Sequence, residues 1–175
     1  MKLKNLFNKK FKDDVYVIAE IGHNHKGSLS IAKKLFLEAK IAGADAVKLQ
    51  KRSNKNLFTK KMYNLIYDHP NSYGKTYGKH REYLEFNFDQ FNELKNYAKK
   101  IDIEFLCTPF DFESVDFLKK LKMTAYKIAS ADLINTPLQE YIAKLKKPIF
   151  LSTGGGNSTD IIRAYKNISK INKKI

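Results

Sequence analysis

Short β-rich runs alternate with amphipathic helical patterns along this chain, and that alternation constrains the fold more than any other feature. The first run covers 15–20, and the second, with Ala46, Val47 and Leu49, covers 45–50. Between them Leu29, Ala32, Leu35, Phe36 and Ala39 mark one stripe of a helix over 28–42, with Gly43 placed to stop it. Further strands are predicted at 103–107, 125–129 and 148–152. Helices are predicted from Asn87, over 111–121, from Thr136, and after Gly156. Asn87 and Gln90 fit a capping box, followed by a stripe of Phe91, Leu94, Tyr97, Ala98 and Ile101. Thr136, Pro137 and Gln139 read as cap, first-turn proline and capping-box glutamine. Ile161, Ala164, Tyr165 and Ile168 line the last helix.

Each strand is followed by a helix, so the sheet is expected to be parallel, an α/β fold of five βα units. An open doubly wound sheet and part of a (β/α)8 barrel both fit. Polar residues recur at the C-terminal end of every strand: Glu20, Lys48 with Gln50, Thr108, Lys127 with Ser130, and Ser152. A barrel gathers such ends around one mouth, which favours the TIM-type barrel, here incomplete. Residues 51–87 interrupt the rhythm. They read as a long polar insertion with one short helix near 56–67, and loops of that length are functional or disordered.

Lys48 and Lys127 stand inside apolar strand text, where a lysine is costly to bury without an anionic partner. With Thr108, Ser130 and Ser152 they supply two cations and three hydroxyls, a set suited to a carboxylate or phosphate. Glu20 suits a general acid/base, a hydroxyl acceptor, or a partner for one of those lysines. The run from Ser152 to Gly156 either offers backbone N–H groups to an anion or is a plain turn. His23 and His25 invite a metal reading, but no complementary ligand spacing supports it, and no metal site is assigned. His69 and His80, in the insertion, are candidates for substrate contact. Cys107 reads as a buried strand residue.

Composition excludes several classes. One cysteine rules out a disulfide framework, and 43% hydrophobic residues rule out wholesale disorder. No apolar run reaches the ~20 residues of a membrane helix. The basic N-terminus lacks the apolar core of a signal peptide, so a cytoplasmic protein is expected. The formal net charge is +15, yet only three of the 33 basic residues are arginine, and the lysines are spread along the chain. That pattern fits a solvated surface better than nucleic-acid binding.

Five segments then carry a resemblance: IAEIGHNHKGSLSIAKKL (18–35), AGADAVKLQ (42–50), FLCTPFD (105–111), AYKIAS (125–130) and KPIFLSTGG (147–155), supported by YGKHREYLEF (77–86). The chain resembles the sialic acid synthase family. The resemblance implies a TIM barrel followed by a small antifreeze-like domain, and a homodimer. It implies condensation of phosphoenolpyruvate with an open-chain N-acetylated amino sugar, such as N-acetylmannosamine, with release of phosphate. Glu20 matches the family's active-site glutamate. Lys48, Thr108, Lys127, Ser130 and Ser152 match its phosphoenolpyruvate-binding residues. The family's divalent metal, Mn²⁺ or Mg²⁺, is held by histidines on later strands, so its ligands are not expected here. Residues 1–14 are then a basic extension and 15–175 a partial barrel, inactive alone, with the antifreeze-like domain absent. The alternatives are a non-catalytic half-barrel that needs a partner chain, or another phosphoenolpyruvate-condensing barrel synthase.

Overall fold

In the computed structural model, which describes residues 15–175, five strands form one parallel sheet in the order β1-β2-β3-β4-β5. They are β1 (Ile18–Gly22), β2 (Ala46–Lys51), β3 (Glu104–Pro109), β4 (Tyr126–Ile128) and β5 (Ile149–Leu151). The basic extension at 1–14 lies outside the described residues. Helices α1 (Leu29–Ile41), α5 (Phe88–Lys100), α6 (Phe112–Lys120) and α7 (Thr136–Ala143) are the crossovers between successive strands, and α8 (Ser158–Ile171) follows β5. Between β2 and α5 lie the short α2 (Asn54–Leu57), α3 (Lys60–Tyr63) and α4 (Tyr77–Tyr83).

The two faces of the sheet follow from the period of two along each strand. Val47, Leu49, Phe105, Cys107, Tyr126, Ile128 and Ile149 point to the helices and join Phe36, Phe91, Leu94, Leu118 and Ile142 in the main core. The other face begins, at the N-terminal ends of the strands, with a smaller cluster of Ala46, Leu106 and Ala125, packed by Tyr16, Ile18 and Phe150. The rings of Tyr16 and Phe150 stack at 6.3 Å, although they sit beside opposite edges of the sheet. A flat five-stranded sheet would hold those edges roughly 19 Å apart. The sheet therefore curls toward this second face, as the wall of a barrel does. The outer edge of β5 is also engaged: the Ile149 N–H donates to the Lys174 carbonyl at 2.8 Å.

Local sequence chemistry sets most element ends as expected. Asn87 and Gln90 form the capping box of α5, and Phe91, Leu94 and Ala98 are its buried stripe. Three expectations need correction. The cap of α7 is Asn135, not Thr136, and Gln139 turns inward to donate to the Asp132 and Leu133 carbonyls. Tyr165 faces solvent; Ala164 and Ile168 carry the contact of α8. The segment after β2 is more ordered than a polar loop. Ile66 bridges Thr76, and His80 packs among Tyr67, Tyr73 and Tyr77 at 4.6–6.5 Å, making a small aromatic core.

Candidate active site

The curled face carries its polar residues at the C-terminal ends of the strands, one step above the apolar cluster. Register makes the arrangement explicit: Glu20 lies beside Lys48, Lys48 beside Leu106, and Lys127 beside Phe150. Each lysine reaches forward to a hydroxyl two residues further along the next strand. Lys48 Nζ donates to Thr108 Oγ1 at 2.9 Å, and Lys127 Nζ donates to Ser152 Oγ. The same lysine–hydroxyl pair thus occurs twice, across β2/β3 and across β4/β5.

Lys48 is 8% exposed, and the Glu20 carboxylate, about half exposed, forms an ion pair with it. The other Glu20 oxygen accepts from Gln50 Nε2 at 3.3 Å. Lys127 also donates to the Ile128 carbonyl at 3.0 Å. Burial, and then the Lys48 charge, hold its ammonium below the usual lysine range, while Glu20 acts in the opposite sense. The two pairs are therefore within electrostatic reach of each other. Ser130 opens the 3₁₀ turn Ser130–Asp132 and lies against Gly154, next to the loop after β5. Its hydroxyl makes no side-chain hydrogen bond among the described residues, so five of the six expected residues meet in two groups and Ser130 flanks them.

The run after Ser152 is less free to hold an anion than its glycines imply. The α8 N-terminus is closed by its own capping box, Asn157 with Asp160. Cys107 is fully buried on the helix side, and burial pushes its thiol well above the usual range. His69 is exposed and accepts from the Asn71 N–H at 3.1 Å. His80 Nδ1 accepts from the Tyr73 N–H at 3.2 Å inside the aromatic core, which makes it a structural residue.

The described residues do not fit the divalent metal that the resemblance implies. No group of three or more His, Cys, Asp or Glu side chains converges among them. His25 is 2% exposed, stacks on Phe86 at 4.3 Å, and accepts from the Gly27 N–H. Burial holds it down at about 4. His23 is lowered to about 3 by burial and then by Arg52. It is therefore neutral, and because arginine only donates, His23 Nε2 accepts from Arg52 Nη1 at 3.3 Å.

Arg52 is the residue that sequence reading passed over. It follows Lys48 and Gln50 at the same parity, so the signal was there once the strand was extended past Gln50. Its Nη2 donates to Gln50 Oε1 at 2.7 Å, and its guanidinium lies 3.8 Å from the Phe110 ring centre.

Comparison with known proteins agrees with this geometry. The NeuB family model matches residues 35–175. N-acetylneuraminate-9-phosphate synthase of Drosophila melanogaster is 37% identical over 174 residues, 99% of this chain and 47% of that protein. N,N'-diacetyllegionaminic acid synthase of Campylobacter jejuni is 40% identical over 155 residues, 88% of this chain and 46% of that protein. The crystal structure of sialic acid synthetase from Leptospira borgpetersenii superposes with a TM-score of 0.75 at 29% identity, covering 90% of this chain and 51% of that one. A 3-deoxy-D-arabino-heptulosonate 7-phosphate synthase from Thermotoga maritima shares the fold alone, with a TM-score of 0.62 at 12% identity. The chain spans about half the length of the curated relatives it matches.

Proposed function

The chain belongs to the NeuB family, and from that premise we propose that its curled face is the phosphoenolpyruvate side of a synthase site. The reaction in this reading joins phosphoenolpyruvate to an N-acetylated amino-sugar aldehyde, giving a sialic acid-type nonulosonate and phosphate. The observation that carries it is the duplicated lysine–hydroxyl pair. Phosphoenolpyruvate has two anionic groups, a carboxylate and a phosphate. Two cations, each braced by a hydroxyl on the next strand, provide one cradle for each.

C3 of phosphoenolpyruvate bonds to the aldehyde carbon, and the aldehyde oxygen takes a proton to become a hydroxyl. Water adds at C2, and the tetrahedral intermediate collapses as the C2–O bond to phosphate breaks. Lys48 and Lys127 hold the two anionic groups in place. Glu20 compensates the buried Lys48 before ligand arrives, and with Gln50 it presents an acceptor to the sugar's hydroxyl groups. The relatives are named for different products, phosphorylated in one case and not in others. The choice of sugar therefore has to be read from residues further out along the strands.

Titration of the chain with phosphoenolpyruvate by calorimetry tests the reading. Lys48→Met and Lys127→Met should each weaken binding at least tenfold, roughly the worth of one charge-assisted contact. Affinity unchanged in both folded variants would overturn it.

A further inference from the structure

The Gln50 side chain has two ends of opposite character, a carbonyl oxygen that accepts and an amide nitrogen that donates. Its neighbours decide which end a ligand meets. On one side stands Glu20, whose carboxylate pairs with Lys48 and accepts from Gln50 Nε2 at 3.3 Å. On the other stands Arg52, whose Nη2 donates to Gln50 Oε1 at 2.7 Å. A guanidinium carries N–H donors and no acceptor, so it accommodates only the carbonyl end. Turning the amide over would set donor against donor at Arg52 and acceptor against acceptor at Glu20.

Arg52 is the fixed member of this series. It is 8% exposed, and its guanidinium lies 3.8 Å from the centre of the Phe110 ring. Phe110 is tied to the same strand end, its N–H donating to the Lys51 carbonyl at 3.2 Å. Arg52 Nη1 donates to the neutral His23 ring at 3.3 Å. The acid beside it is Glu85. Glu85 Oε2 accepts from the Arg52 backbone N–H at 3.3 Å and from Lys51 Nζ at 2.8 Å. Glu85 Oε1 is buried without a hydrogen-bond partner among the described residues, 3.9 Å from His23 Nε2. An arginine braced by a ring, an imidazole and a nearby carboxylate does not follow Gln50; Gln50 follows it.

We propose that Arg52 is a positioning residue for the sugar aldehyde, acting through Gln50: it turns the amide so that Gln50 and Glu20 present a donor beside an acceptor. This rests on the reading of the preceding subsection, in which the sugar lies over that pair. One Nε2 proton goes to Glu20 and the other is left for the ligand, while the carboxylate keeps lone pairs for it. A hydroxyl both donates and accepts, so a single sugar hydroxyl satisfies the two groups at once. With the amide reversed, two acceptors would stand side by side, and the one proton of a hydroxyl could serve only one of them.

Calorimetric binding of N-acetylmannosamine tests this in a cycle of Arg52→Met, Gln50→Met and the double variant. Arg52→Met should weaken sugar binding about fivefold, the worth of one hydrogen bond. In the Gln50→Met background the same change should alter affinity by less than about twofold, because Arg52 then has no amide to orient. Arg52→Lys keeps a donor-only group and should restore most of the affinity. Equal losses in both backgrounds, as a purely structural arginine would give, overturn the proposal. Where Arg52→Met fails to fold, Gln50→Glu decides. It keeps the bond from Arg52 but cannot donate, so it should lose at least as much affinity as Gln50→Met, and parent-like binding overturns the proposal. A second readout needs no ligand. Exchange of the Gln50 side-chain amide protons with water, followed by NMR, should quicken about fivefold in Arg52→Met and stay near the parent rate in Arg52→Lys. An unchanged rate in folded Arg52→Met overturns the proposal by itself, whereas a parent that binds no sugar strikes the preceding reading and leaves the role of Arg52 to be decided by the amide.

Discussion

The Glu20–Lys48 pair predicts an asymmetry that a simple count of lost contacts would miss. The Lys48 side chain is 10% exposed and that of Glu20 is 48% exposed. Glu20→Gln leaves a buried ammonium with Thr108 Oγ1, at 2.9 Å, as its remaining side-chain partner. Breaking a fully buried pair from one side costs ~3–5 kcal/mol. Because Glu20 is half in water, screening reduces this to about 1–2 kcal/mol. Lys48→Met does the reverse. It removes the buried charge, leaves a carboxylate that water already reaches, and strands only the Thr108 hydroxyl, at a cost of ~1 kcal/mol that burial of the methionine offsets. Stability of Lys48→Met should stay within about 1 kcal/mol of the parent. For a chain of this size 1 kcal/mol corresponds to ~2–4 °C in Tm, so Glu20→Gln should melt ~2–8 °C low and Lys48→Met nearly unchanged. The double variant should resemble Lys48→Met rather than the sum, because the stranded charge is gone. Urea titration and calorimetry of the three variants decide the matter. A Lys48→Met that is less stable than Glu20→Gln would refute the argument that burial of the ammonium dominates this pair.

Two further outcomes follow from geometry away from the lysines. Gly27 has φ +73°, and a Cβ there would meet the Tyr83 carbonyl oxygen at 2.6 Å, whereas Gly43, at φ +88°, would meet nothing within 4 Å. Gly43→Ala should cost only the left-handed strain of ~1–2 kcal/mol, and Gly27→Ala clearly more; equal urea midpoints for the two would contradict the structure. His25 is held down at about 4 in the folded chain, below its ordinary value, so the fold favours its neutral form. Its contribution is complete above pH ~6.5 and is lost as pH falls through 4, a drop of roughly 3 kcal/mol. His25→Phe keeps the stack on Phe86 but cannot titrate, so the difference between parent and variant should shrink steadily from pH 7 to pH 4; a constant difference would exclude the coupling.

The parallel sheet and its polar mouth were legible because both depend on local signals: alternation of strand and helix text, and lysines inside apolar strands. What escaped depends on contacts distant in sequence. Gln139 was read as half of a capping box, but carbonyls of the preceding turn compete for its amide and Asn135 takes the cap. The segment after β2 looked like a polar loop because tyrosine text is ambiguous. Only pairing, such as the Tyr73–Tyr83 stack at 4.8 Å, turns it into a core. Arg52 escaped because strand text ends near Gln50, while parity carries the inward direction one step further.

That parity also explains how one face of a sheet serves both stability and chemistry. Reading outward, β2 presents Ala46, then Lys48, then Gln50 and Arg52, while β3 presents Leu106, then Thr108, then Phe110. The lowest layer is apolar and small, so the curled wall can close over it. One step up, each lysine lies between an apolar floor and a hydroxyl on its neighbour strand. There it is too deep for bulk water to solvate it fully and shallow enough for a ligand to reach. A substitution in the floor, such as Ala125→Leu, would overpack against Leu106 and cost fold stability. A substitution one step higher changes charge with little change in packing. The same distance of two residues along a strand separates a structural position from a binding one, and the direction of the step decides which kind of loss a variant shows.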